Sequence, residues 1–421
     1  MSNDAAKVER ELLAKAVACY QRGNWVQAER VCRFLMDSGI LHPAVYTILG
    51  GVAAHVGEYS LAMRYIDEAL RIDPAFEPAK VHRIAVSEKT ARALQPEGNG
   101  GTRPRYLLIK AWGYGFWSDI DHVLGALLVA EMTERIPVVY WGTNSLFRAD
   151  DRPNAFEVYF EPVSGVQIGD LRNPALQFFP PKWSSQNIYS EDVNKWNGSY
   201  ARMAGFYFLN RSEDVLVSDF HVHVNDMLPW IRESHPLHGW KTLRIYRYLF
   251  ERYLRIKPAV AQKIDAVWQE KMSGKQPNLA VHIRGSDKVK EAAGLNQLNE
   301  EYEPAISELV AQHRNLTIFL LTDDETILEQ YRGHYGDRLV YTDSIRSRSD
   351  VGVHYQGHSG EKVGMEVITD TYLAGRCDYF LGFGRSNVST TVQHMKDWAP
   401  GTYRLLGGNF LLERNLYLHD W

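Results

Sequence analysis

Four short stretches gather side chains that can meet a charged ligand, and each follows an apolar run. In "NLAVHIRGSDKVKEAAG", residues 278–294, six strand-like residues containing His282 lead into Arg284, Asp287, Lys288, Lys290 and Glu291, which sets bases, acids and Gly285 at a strand's carboxyl end. "KAWGYGFWSD" carries Gly113 and Gly115 just before a helix, where free backbone N–H groups and the helix dipole favour phosphate. "FLLTDD" puts Asp323 and Asp324 directly after a strand-like run, either as carboxylates for acid/base work or as a helix cap. "YFLGFGRSNVSTT" opens its helix with Gly384, Ser386 and Asn387, whose hydroxyl, amide and N–H groups suit phosphate and also suit plain capping. Taken singly, each stretch reads equally well as a solvated loop, a tight turn or a cap.

The elements that must position these groups alternate. "RYLLIKAW" and "IPVVYWG" are strand runs flanking the helix "SDIDHVLGALLVAEMTER", which Ser118 or Asp119 is expected to cap. A second set follows: "NLAVHI", "EYEPAISELVAQH", "TIFLLTDD", "RLVYT", "KVGMEVITDTYLAGR" and "YFLGF". Strands separated by helices predict parallel sheets covered on both faces, so two facing Rossmann-like domains are expected, at residues 105–245 and 246–421, with ligands at the carboxyl ends of strands. Before them, Tyr46, Leu49, Gly50, Ala53, Gly57, Tyr59, Ala62, Ala69 and Pro74 resemble a 34-residue tetratricopeptide unit, and Gly23, Trp25 and Ala28 repeat it one period earlier. Residues 1–94 are therefore read as α-helical repeats, and "QPEGNGGTRP" at 95–104 as a linker.

From Arg105 to about Trp398 the chain resembles the GDP-fucose-dependent α-1,6-fucosyltransferase family, including the rhizobial chitooligosaccharide enzymes. The resemblance rests on segments in the same order: "GYGFWSDIDHV", "FEVYFEPVS", "HIRGSDKVKEAA" with a downstream "EEY", "LLTDD", "GVHYQGHSGEKVGMEVITD" and "CDYFLGFGRSNVS". It implies a GT-B architecture and a metal-independent, inverting transfer of L-fucose from GDP-fucose to a glycan hydroxyl, with no cofactor. It matches Arg284 to the arginine that grips the β-phosphate, a planar fork suited to phosphate oxygens. His282 and Asp370 match guanine-holding positions, Ser386 and Asn387 the diphosphate pair, and Gly115 with Phe116 the loop that closes over it. Glu291 aligns with the catalytic base and Lys288 with its orienting partner, while Asp287 braces Arg284 or Lys288; Tyr302, Asp323 and Asp324 match acceptor- or donor-side groups. Where the family usually has a second arginine this chain has Gly285, the Lys288–Glu291 loop is one residue shorter, and Ser-Asn replaces Ser-Gln. Two alternatives stay open: transfer to a protein side chain held by the repeats, and a repeat-based scaffold beside a degenerate transferase.

Composition limits the remaining classes. A 421-residue chain with 45% hydrophobic and 23% charged residues and a net charge of −4 is an ordinary multi-domain globular protein, without the basic field that a general nucleic-acid binder needs. Charges run through the N-terminal stretch and no apolar run reaches 18 residues, which predicts a cytoplasmic protein without a transmembrane segment. Cys19, Cys32 and Cys377 have no paired spacing and read as reduced packing residues. His221 and His223 in "FHVHVND" lie at i, i+2 on an expected strand, but with no nearby Cys or third His no metal is expected there. The repeats offer a surface for a dimer or a protein partner.

Overall fold

The computed structural model describes residues 3–93, 103–191, 193–285, 299–349 and 351–409. Most of the expected linker lies outside these. The chain starts with five helices, α1 (Asn3–Gln21), α2 (Trp25–Asp37), α3 (Pro43–His55), α4 (Tyr59–Ile72) and α5 (Glu77–Ala93), each packed on the next. Gly23 and Gly57 end the α1–α2 and α3–α4 turns at φ of +76° and +79°, a left-handed conformation that glycine adopts without strain. The buried stripe Ala28, Val31, Cys32 and Leu35 recurs at the 3.6-residue period that made the helices legible. Glu58 anchors this region to the rest of the chain: its buried carboxylate accepts from Arg232 Nη2 at 2.7 Å and Asn210 Nδ2 at 2.9 Å.

Next comes a four-stranded parallel sheet of β1 (Tyr106–Lys110), β2 (Ile136–Tyr140), β3 (Phe178–Phe179) and β4 (Val215–Ser218), in the order β2-β1-β4-β3. Helix α6 (Phe116–Met132) crosses between β1 and β2; it is buried almost along its whole length because it is covered on all sides. Short helices α7 (Phe156–Tyr159) and α8 (Val224–Met227) and then α9 (Thr242–Tyr253) follow, with α9 packing against α6 and α8. His221 and His223 do not lie on a strand: β4 stops at Ser218, and they sit in the connection to α8.

The second sheet has five parallel strands, β5 (Asn278–Ile283), β6 (Thr317–Thr322), β7 (Leu339–Val340), β8 (Tyr379–Phe383) and β9 (Tyr403–Leu406), ordered β7-β6-β5-β8-β9. Every residue of β5 is buried, as expected for a central parallel strand covered on both faces. Helices α10 (Pro258–Lys271), α11 (Tyr302–Gln312), α12 (Glu325–Tyr335), α13 (Gly360–Arg376) and α14 (Asn387–His394) complete this half. In this second sheet the strand order reverses once, between β5 and β8. The crevice outside the carboxyl ends of such a strand pair is where doubly wound sheets hold ligands.

Candidate functional site

A cavity of about 370 Å³ opens at the β5–β8 reversal, between the two sheets. That is the size of a site for one small ligand. The register that pairs His282 with Gly382 brings the ends of β5 and β8 together, and with them Arg284 and the Arg385–Asn387 turn, all on the cavity wall. Arg284 is aimed by Asp323 at the end of β6: Nη1 and Oδ2 are 2.8 Å apart, and Asp323 also accepts from the Gly285 N–H at 3.1 Å. Glycine is required at 285, because a Cβ there would stand 2.5 Å from Asp324 Oδ2. The family's usual second arginine has no room in this packing.

Ser386 is the N-cap residue of α14, yet its hydroxyl makes no capping bond, and the Asn387 amide oxygen is buried without a partner among the described residues. Both line the cavity. His282 is buried with Nδ1 2.7 Å from Ser389 Oγ; burial, reinforced by Arg284, pushes its pKa down to about 3, so it is neutral at pH 7. Asp370 is not the solvated mid-helix residue its neighbours suggest. It faces the cavity from α13, and its oxygens accept from Thr342 Oγ1 at 2.6 Å and Ser344 Oγ at 3.1 Å. Burial lifts its pKa to about 6, against the pull of Thr342 and Arg346. Sequence reasoning missed Glu366, one helical turn earlier on the same face, whose Oε2 accepts from the Ile345 N–H at 2.9 Å and fixes the segment that holds Asp370. The i, i+4 spacing was the available signal.

The opposite wall comes from the first sheet. Gly115 is the N-cap residue of α6, with open space where a Cβ would go, and Phe116 lines the cavity while its ring packs into Trp117, Trp141, Phe147 and Tyr159. Trp117 Nε1 donates to Thr371 Oγ1 at 2.8 Å, tying this wall to α13 beside Asp370. Neither Ser118 nor Asp119 caps the helix. The buried Asp119 instead turns back on the glycine loop, accepting from the N–H groups of Gly113 at 2.8 Å and Tyr114 at 3.4 Å, and burial raises its pKa to about 7. These loop N–H groups therefore serve Asp119 rather than a phosphate.

Two further expectations need correction. Tyr302 is fully buried, with its hydroxyl donating to the His282 carbonyl at 2.7 Å, so it braces the strand beneath the cavity and does not line it. Asp324 caps α12, accepting from the N–H groups of Thr326 at 2.7 Å and Ile327 at 3.2 Å, and does not line the cavity. Asp287, Lys288 and Glu291 lie outside the described residues. His221 and His223 do meet a third ligand-type group, which the sequence did not reveal: Asp121 of α6, with one ligand atom from each residue within 4.8 Å of the others. Asp121 and His223 form a buried ion pair at 2.7 Å. Burial opposes charge on both, but each offsets it on the other, bringing Asp121 down to about 2 and raising His223. Tyr246 donates to the other Asp121 oxygen at 2.7 Å and stacks on His394 of α14 with centroids 4.3 Å apart.

Residues 240–395 match the family model described as nodulation protein Z (NodZ). This segment runs from just before α9 through α14 and includes His282, Arg284, Asp323, Asp370, Ser386 and Asn387. No curated protein matches the chain. Among solved structures, NodZ α-1,6-fucosyltransferase soaked with GDP-fucose aligns at 20% identity over 70% of this chain and 93% of its own, with a TM-score of 0.47. Fucosyltransferase NodZ from Bradyrhizobium aligns at 19% identity, covering 69% and 92% with a TM-score of 0.45. Apo POFUT1 aligns at 15% identity, covering 73% and 100% with a TM-score of 0.44.

Proposed function

We propose that the chain, whose segment 240–395 carries the NodZ match, is a fucosyltransferase that uses GDP-fucose as donor and a hydroxyl as acceptor. The observation that carries this reading is the convergence of Arg284, Ser386, Asn387, His282 and Asp370 on one cavity at the strand-order reversal. Asp370 suits guanine's N1–H and amine, because a carboxylate has acceptor capacity beyond the Thr342 and Ser344 hydroxyls. The neutral His282 lines the same cavity. The Arg284 guanidinium, held by Asp323, faces the β-phosphate, and the Ser386 hydroxyl with the Asn387 amide meets the diphosphate.

In the proposed inverting step the acceptor oxygen forms its bond to the anomeric carbon as the carbon–phosphate oxygen bond opposite it breaks. The acceptor proton passes to Glu291, oriented by Lys288, and Asp287 steadies the cation beside it. The electron pair leaves with GDP, whose developing charge Arg284 and the α14 amino end offset, a role that needs no divalent cation. A degenerate scaffold would have no reason to keep this set facing one cavity. Calorimetry tests the reading. GDP should bind and UDP should not, with the GDP titration unchanged by EDTA, and mass spectrometry should find fucose added to acceptor; equal affinity for GDP and UDP refutes the guanine site.

A further inference from the structure

Asp121 of α6 and the two histidines of the β4–α8 connection, His221 and His223, form a buried cluster that the proposed transfer does not use, since none of the three lines the cavity at Arg284. We propose that this cluster binds one divalent transition-metal ion of the zinc class, at a site separate from the donor cavity and independent of the fucosyltransferase reading. The third ligand whose absence made a metal unexpected in the sequence is Asp121. Its Oδ2 lies 3.3 Å from His221 Nε2 and 2.7 Å from His223 Nδ1, and one ligand atom from each residue falls within 4.8 Å of the others. Zinc holds such atoms at about 2.0–2.2 Å, which sets tetrahedral neighbours about 3.3 Å apart. One pair already has that spacing, and the other need open by only roughly 0.6 Å.

Two observations separate the cluster from an ordinary buried ion pair. Asp121 is 4% exposed, yet its Oδ2, although close to both imidazoles, makes no hydrogen bond among the described residues, while Oδ1 is held by the Tyr246 hydroxyl at 2.7 Å. A buried carboxylate oxygen left in that state calls for a partner, and a cation shared with the two imidazoles supplies one. The second observation is that neighbouring residues fix the ligands, as the outer shell of a metal site does. His122 accepts from the Val222 N–H at 3.1 Å and so pins the backbone midway between the two histidines. Gly125, one turn along α6, allows the close approach, because a Cβ there would stand 2.0 Å from the Val222 carbonyl oxygen. Two imidazoles and a carboxylate suit zinc and its neighbours rather than calcium or magnesium, which take oxygen ligands. Three protein ligands leave a fourth position for water. His221 also lines a second and larger cavity, of about 1160 Å³, between the N-terminal helices and the first sheet, and that cavity is the entry path. Once bound, the ion displaces the proton that His223 otherwise shares with Asp121 and clamps the chain leaving β4 onto α6.

The test uses the full-length protein without a histidine tag, stripped of metal with a chelator and dialysed. It is titrated with zinc in competition with a chromophoric chelator and, separately, with Co²⁺ followed by visible absorption. One zinc per chain should bind with Kd below about 1 μM, and Co²⁺ should show the intense visible bands of a four-coordinate ion. His221→Ala should weaken zinc by about 100-fold or more, and Tyr246→Phe, which releases only the other oxygen of Asp121, by about tenfold. Circular dichroism melts establish which variants fold; if His221→Ala does not, Tyr246→Phe and the Co²⁺ spectrum of the unaltered protein decide. Absence of stoichiometric zinc binding overturns the proposal, as does a zinc affinity that the folded variants leave unmoved, or a Co²⁺ spectrum of a six-coordinate ion, the mark of adventitious surface binding.

Discussion

Removal of the Arg284 guanidinium offers a sharp quantitative test, because the structure also shows what the loss leaves behind. One charge-assisted hydrogen bond to a phosphate oxygen contributes about 1.5–3 kcal/mol. Arg284→Ala also leaves the Asp323 carboxylate without the cation 2.8 Å away, on the wall of the cavity proposed to hold the diphosphate. Two like charges roughly 5 Å apart repel by about 3 kcal/mol at an effective dielectric near 20, and water in the half-open cleft reduces that to about 1 kcal/mol. The sum predicts that GDP binds about 100- to 1,000-fold more weakly to Arg284→Ala. The double variant Arg284→Ala/Asp323→Asn removes the stranded charge, while the asparagine oxygen can still accept from the Gly285 N–H, so it should regain about fivefold over Arg284→Ala. Calorimetry with GDP reads both. Arg284→Ala within threefold of the unaltered protein, or a double variant weaker than the single one, refutes the reasoning.

Asp370 should make GDP affinity depend on pH: burial raises its pKa to about 6, guanine needs the ionised carboxylate, and so binding should be flat above that value and fall toward tenfold per unit below it. A pH-independent affinity between 5 and 8 removes Asp370 from the site. Glu291→Gln should keep GDP binding and lower transfer by about two orders of magnitude or more, whereas a fully active Glu291→Gln beside an inactive, GDP-binding Asp287→Asn moves the base to Asp287. Tyr302→Phe leaves the buried His282 carbonyl without its donor, so it should cost about 1–2 kcal/mol in urea unfolding with KM for donor unchanged. A raised KM at unchanged stability would instead return Tyr302 to the ligand.

How far these groups could be read in advance follows from periodicity. Arg284, Ser386 and Asn387 were accessible because parallel β/α units send their strand ends to one edge, so a residue just after an apolar run is already placed near its counterparts. Asp370 was accessible only through the family resemblance, since helical spacing gives a face and not what the face meets. Asp119 and Tyr302 were misread for a related reason. A carboxylate near a helix start and a tyrosine at one look alike whether they cap, brace or bind, and the outcome depends on backbone returning from six or twenty residues away. Asp121 illustrates the wider difficulty, with its partners His223 and Tyr246 about a hundred residues on and no local pattern linking them. The helical region before residue 94 shows the 34-residue spacing of its glycine turns, but no local signal announced that those turns would wall a cavity with Trp196 and Tyr200.

The stack of Tyr246 on His394, together with the bond from Trp117 to Thr371, limits how the two halves can move. Helix α6 is fastened near its start to α13 and at Asp121 to a ring that rests on α14. All of these contacts are buried, so swinging one half away from the other would expose the Asp121 carboxylate, the His394 imidazole and the Tyr246 and Trp117 side chains together. The halves share a buried spine, and access to the smaller cavity falls to its rim, where Tyr114 and Tyr355 stand 40% and 55% exposed. Side-chain and loop excursions at such a rim are much faster than a domain hinge.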